Sequence, residues 1–188
     1  MLMTKTTKIS VFDLDETVVR MPSYAARKQV ELLTSGSQSF PTPYSFYDDP
    51  ISMDRSIHNI QFVSPVLEDW RKSSYDASSR TILITHRIEK LRPCVELVLG
   101  PAGLEFDAIY CLGRVTEKFN TLATELEENP SINEISIYED TLEQIIKYRS
   151  GFDRLGKGYD VRFYFVDKAK VYRLQDFKVG ENRRIQLL

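Results

Sequence analysis

Five short apolar runs punctuate the chain, at residues 8–14, 81–85, 108–112, 134–138 and 161–166. Each is too short for an ordinary helix and too continuously apolar for a strand with one wet face. Each therefore predicts a strand buried on both sides of a parallel sheet. Between them the apolar spacing changes to three and four residues. Residues 65–72 make a short amphipathic candidate, and 88–100 predict a helix that Pro93 breaks or delays. The clearest helix is 117–128, where Phe119, Leu122, Ala123 and Leu126 share a face before Asn129-Pro130 stops it. Residues 141–148 place Leu142, Ile145 and Ile146 together and are expected to end before Gly151. Strands alternating with helices predict an α/β protein: an open parallel sheet with right-handed crossovers and helices on both faces.

One region breaks this rhythm. Residues 19–64 hold Pro22, Pro41, Pro43 and Pro50 among Ser, Tyr and Asp. A helix is expected over 24–33 and irregular structure over 34–59. So long a connection inside a compact domain is usually functional or partly disordered. It emerges beside the acidic end of the first strand. We therefore expect a cap or lid over 19–64, set on a core of 1–18 and 65–188.

Composition narrows the field. The 188 residues suit one domain with an inserted subdomain. A net charge of -2 leaves no global basic field for non-specific nucleic-acid binding. No apolar run approaches a membrane span. The short polar start, residues 1–8, has no signal-peptide core. Cys94 and Cys111 fit neither a disulfide framework nor a zinc site, and are expected reduced in a cytoplasmic protein. The tail Asn182-Arg183-Arg184 reads as a solvated terminus. Oligomeric state is not written in the sequence.

The chemistry gathers where the strands end. The first strand runs into Asp13-Leu14-Asp15-Glu16-Thr17. Alternation along a strand puts Asp13 and Asp15 on one side. Two carboxylates that close repel unless a cation or a shared proton relieves them. Mg²⁺ is the usual relief, since it takes oxygen ligands and keeps room for a substrate phosphate. An acidic turn after a buried strand is the plainer alternative. In open α/β sheets ligands bind outside the carboxyl ends of the strands. There the other runs offer Thr85-His86-Arg87, then Thr116 and Lys118, then Glu139-Asp140. Such a set suits phosphoryl transfer. One carboxylate attacks phosphorus, a second carboxyl acts as acid and base, a lysine offsets charge, and further carboxylates complete a metal shell. Each member also has a plain reading. Lys118 suits a solvated helix, Glu139-Asp140 suits the N-terminus of the helix near Thr141, and Arg87 suits a salt bridge as well as a phosphate.

Asp-x-Asp-x-Thr after an apolar strand, then a strand-end Thr, a Lys and Glu-Asp, resembles the haloacid dehalogenase superfamily of phosphatases. The likeness spans about residues 8–148, with the insert in the first cap position, and implies a Rossmann-like open parallel sheet. It implies Asp13 as nucleophile and Mg²⁺ ligand. Asp15 would be the acid/base, with its main-chain carbonyl on the metal. Thr17 would orient Asp15 and the loop at the substrate, Thr85 and Arg87 would bind phosphate, and Lys118 would pair with Asp13. Asp140 would hold Mg²⁺ with Glu139 beside it. Within the superfamily the stretches 82–87, 104–107, 116–119 and 137–140 are similar to the Swiss Army Knife RNA repair-like group. That implies a phosphatase acting on nucleic-acid ends, such as a 3′-phosphate. Glu16 stands where many members have Gly, a feature shared with phosphatases of the RNA polymerase C-terminal domain. His86 stands where the group has Gly, and Asn120 where a Lys is expected. The rivals are a small-metabolite or nucleotide phosphatase and a non-catalytic binding module. Tyr24, Phe40, Tyr44, Phe46, Tyr47 and Phe62 in the insert suit a small core or, alternatively, base stacking.

Overall fold

The structure is a computed structural model that describes residues 5–34, 36–114 and 116–174. The tail at 182–184 lies outside the described residues. In chain order the elements are β1 (Lys8–Phe12), β2 (Val19–Arg20), α1 (Arg27–Leu33), α2 (Pro43–Tyr47), β3 (Gln61–Phe62), α3 (Ser64–Tyr75), β4 (Ser79–Thr85), α4 (Arg92–Leu99), β5 (Ala108–Cys111), α5 (Lys118–Glu128), β6 (Glu134–Glu139), α6 (Leu142–Leu155), β7 (Asp160–Asp167) and β8 (Lys170–Leu174).

Six strands form one sheet in the order β5-β4-β1-β6-β7-β8. The first four pairings in that order are parallel, and β7–β8 is an antiparallel hairpin. β1 is central, and its register sets Phe12 against Leu83 on one side and Tyr138 on the other. The sheet is covered on both faces, as continuous apolar strands require. Phe12, Leu83 and Tyr138 pack on one face with Trp70 of α3 and Val95 of α4. Val11, Ile84 and Ile137 pack on the other with Leu122 of α5 and Tyr148 of α6. The carboxyl ends of β1, β4, β5 and β6 thus open on one rim. No helix among the described residues is long and apolar enough to cross a membrane.

Two boundaries differ from the sequence expectation, and a third, the delayed start of α4 at Pro93, agrees with it. β1 stops at Phe12 because the Leu14 carbonyl turns to accept Val18 N and Val19 N, both at 3.0 Å. Helix α6 runs through Gly151 and ends at Gly156, in the left-handed conformation with φ 62°. A Cβ at Gly151 would lie 2.3 Å from the Phe119 ring, so glycine here lets α6 pack close on α5. Pro93 sits in the first turn of α4, where its missing N–H costs nothing, behind a 3-10 turn at Glu89–Leu91.

The 19–64 segment has its own small core. Val30, Phe40 and Phe46 are buried together, with Tyr24, Tyr47, Ile51 and Ile57 packed around them. The stretch 34–59 is not wholly irregular. It contains α2, opened by a reciprocal cap between Thr42 and Ser45, and a 3-10 turn at Pro50–Met53. β2 and β3 pair antiparallel where the segment leaves the core and returns to it.

Candidate active site

Asp13 is the first residue past β1, and its N–H still donates to the Tyr138 carbonyl at 3.1 Å. That last rung fixes its place between β1 and β6. Lys118 opens α5, and its ammonium donates to Asp13 Oδ1 and Glu139 Oε2, at 2.7 Å each. All three side chains are buried. The second Glu139 oxygen accepts from Asp140 N at 3.2 Å, Thr141 N at 3.4 Å and Thr141 Oγ1 at 3.2 Å. Glu139 therefore holds the turn that precedes α6 and seats Lys118 at the same time.

One lysine does not balance this cluster. Burial pushes the Asp13 carboxyl up to about 7; Lys118 opposes the rise, and the charges of Glu139 and Asp15 add to it. Asp140 is pushed up to about 9, by burial first and then by Asp13 and Glu139. Burial works against the Lys118 ammonium, but the charges of Asp13 and Glu139 outweigh it and raise its pKa. One carboxylate oxygen from each of Asp13, Glu139 and Asp140 lies within 4.8 Å of the other two. Three hard oxygen donors with a deficit of positive charge fit a small divalent cation.

Asp13 and Asp15 do not share a partner. Since β1 ends at Phe12, strand alternation no longer applies, and Asp15 turns to Arg87. Arg87 Nη2 donates to Asp15 Oδ1 at 2.6 Å, and Nε to Oδ2 at 3.0 Å. The guanidinium is buried, and its Nη1 donates to Ser52 Oγ at 2.8 Å and to the Tyr47 carbonyl. Arg87 therefore joins Asp15 to the 19–64 segment. Thr85 is buried at the end of β4, where its hydroxyl accepts from Arg87 N at 3.2 Å. Thr17 is buried, and its hydroxyl has no hydrogen-bond partner among the described residues. Glu16 has φ 57°, a left-handed backbone that explains why glycine would suit the position.

A cleft of about 990 Å³ opens beside Asp15, between the rim and the 19–64 segment. His86, Arg87 and Thr141 line it from the core, and Tyr44, Tyr47, Asn59 and Gln61 from the segment. Arg114, after β5, lines it too. Asn59, Gln61 and Arg114 were not sequence candidates for the site. Asn59 and Arg114 sit in connections and Gln61 on the two-residue β3, with no periodicity or motif to mark them.

No protein-family model matches the chain, and no curated protein does. Solved structures do resemble it, two among them at low identity. One is the Pnkp1/Rnl/Hen1 complex, at 13% identity and a TM-score of 0.49, over 77% of this chain and 42% of that one. The chain thus spans less than half the length of that neighbour. The other is the HAD domain of the effector protein Lem4 from Legionella pneumophila, at 12% identity and a TM-score of 0.45, over 86% and 87%. The sheet order, the crossovers and the polar rim at the carboxyl ends of the strands stand independently of both. They make this the Rossmann-like α/β fold that the resemblance to the haloacid dehalogenase superfamily implies.

Proposed function

We propose that the protein is a Mg²⁺-dependent phosphomonoester hydrolase that works through an aspartyl-phosphate, with a nucleic-acid 3′-phosphate as substrate. The buried Lys118 ammonium, 2.7 Å from both Asp13 and Glu139, carries the reading. A carboxylate fixed beside a cation at a strand end suits attack on phosphorus. Asp13 Oδ forms the new bond to phosphorus while the bond to the ester oxygen breaks. Asp15 gives that oxygen a proton. Water then attacks the phosphoryl group, Asp15 takes its proton, and the bond to Asp13 breaks to release inorganic phosphate. Asp15 is gripped by Arg87 in this structure, so its proton transfer requires that grip to loosen. Thr85 and Arg87 supply phosphate contacts, and Thr17 supports the loop that carries Asp15.

Mg²⁺ would be held by Asp13, Asp140 and the Asp15 carbonyl, with Glu139 beside them, and would offset charge on the phosphoryl oxygens. Residues 19–64 form the cap. The free thiols Cys94 and Cys111 agree with a cytoplasmic setting.

The test is phosphate release from a 3′-phosphorylated oligonucleotide with Mg²⁺, comparing wild type with Asp13→Asn. Wild type should release phosphate, and the variant should lose the activity by on the order of 10⁴-fold. Activity on small phosphomonoesters alone would leave a metabolite or nucleotide phosphatase. Silence on both would favour a binding module.

A further inference from the structure

The cleft is far larger than a phosphate. At about 990 Å³ it is the size of sites that enclose a whole small-molecule ligand, so the group bearing the phosphate has room to lie inside it. The wall opposite Asp15 comes from the 19–64 segment. Its aromatic residues divide in two. Phe40 and Phe46 are buried, with Tyr24 and Tyr47 packed on them. Tyr44 lies on the same short helix as Phe46 yet is 62% exposed and faces the cleft. Packing therefore does not account for it.

The Tyr44 ring is held nonetheless. The Arg114 guanidinium lies 4.0 Å from its centroid. Arg114 is itself fixed by Asp48, whose carboxylate oxygens accept from Nη1 at 3.1 and 2.9 Å. A cation seated on one face of an exposed ring leaves the opposite face for a planar group. Asn59 and Gln61 line the same wall, and each offers an amide donor and acceptor. Ring, guanidinium and amides together match a nucleobase, which has a π-face and a mixed donor–acceptor edge.

We propose that Tyr44, clamped by Arg114 and Asp48, is the stacking platform for an unpaired nucleobase adjoining the phosphate, with Asn59 and Gln61 on the base edge. This rests on the hydrolase reading above and names the residues that select its substrate. The assay compares kcat/KM for a 3′-phosphorylated oligonucleotide with that for the same strand carrying an abasic terminal residue. Wild type should prefer the base-bearing end by about tenfold, the scale of one base–aromatic stack. Tyr44→Ala should bring that ratio close to one, and Tyr44→Phe, which keeps the ring, should preserve it. A wild type that treats both ends alike, or a ratio unmoved by Tyr44→Ala, overturns the proposal and leaves the hydrolase reading standing. If wild type releases phosphate from neither strand, the hydrolase reading falls, and affinity decides the subsite. Fluorescence anisotropy of the same two strands then supports it if the base tightens Kd through Tyr44, and overturns it if both bind equally.

Discussion

The Lys118 cluster and the Arg87 cluster lie at the same end of the sheet but are held in different ways. Asp13, just past β1, and Glu139, at the end of β6, are placed by the β1–β6 register and the bond from Asp13 N to the Tyr138 carbonyl. Lys118 reaches them from the first turn of a helix whose next residue, Phe119, packs into the core. Arg87 instead bonds Asp15 on one side and, on the other, Ser52 and the Tyr47 carbonyl of a segment with its own small core. Backbone ladders position the first cluster, and side chains reaching between two bodies position the second. On the proposed reading, a nucleophile and its counter-cation gain from rigid placement. On the same reading, a cap gains from an attachment that can be released.

Breaking the first cluster should have the largest effect. Lys118→Met leaves Asp13 and Glu139 buried and facing each other without their cation. Removing one partner of a buried charge pair costs about 3–5 kcal/mol. Urea unfolding should show a loss of that size, along with lost turnover. Added Mg²⁺ should restore part of it, since a cation that binds only the folded state stabilises that state. A variant as stable as wild type would mean that Lys118 is not what balances these carboxylates.

The same contrast governs what the sequence made legible. Asp13, Thr85 and Glu139 could be found because each lies within one residue of the end of an apolar run that the sheet buries, and runs of that kind announce themselves. The β8 strand could not. It follows a two-residue turn at Lys168 and Ala169, both left-handed at φ 46° and 66°, where the usual signal is Asn-Gly. β2 and β3 are two residues each, below any periodicity. Gly151 looked like a helix stop, but its meaning is the Phe119 ring against it, a contact made across 32 residues of sequence. In the 19–64 segment order comes from a few aromatic contacts around Phe46 and from polar clasps to the core, which leave no pattern in the sequence. Arg87 was visible as a candidate. That it would reach Asp15 and Ser52 at once was not, because the insert's path decides it.

The second cluster should yield more gently. Ser52→Ala removes one acceptor from the buried, charged Arg87 guanidinium, at a cost of about 2 kcal/mol. If the clasp holds the insert to the core, amide hydrogen exchange should quicken in 34–59 and stay unchanged in β1, β4 and β6. Equal acceleration in both regions would show that insert and core open as one cooperative unit and would remove the distinction drawn here.

The smallest effect belongs to the junction between the two regions. Glu16 stands where the chain leaves β1 for the insert, with a left-handed backbone. Its side chain compensates in part: Oε1 accepts from Met21 N at 3.2 Å, and Oε2 lies 3.8 Å from Arg20 Nε. Glu16→Ala keeps the strain and loses that bond, so it should cost about 1 kcal/mol. Glu16→Gly loses the same bond but relieves the strain. Glycine is favoured over alanine at a left-handed position by about 1 kcal/mol, so its stability should stay close to wild type. Urea midpoints of the two variants separate the terms. Equal losses would mean that the side-chain bond alone holds the junction. A glycine variant that recovers stability yet turns over more slowly would show that Glu16 was kept to aim Asp15, next to it in the chain, rather than to stabilise the turn.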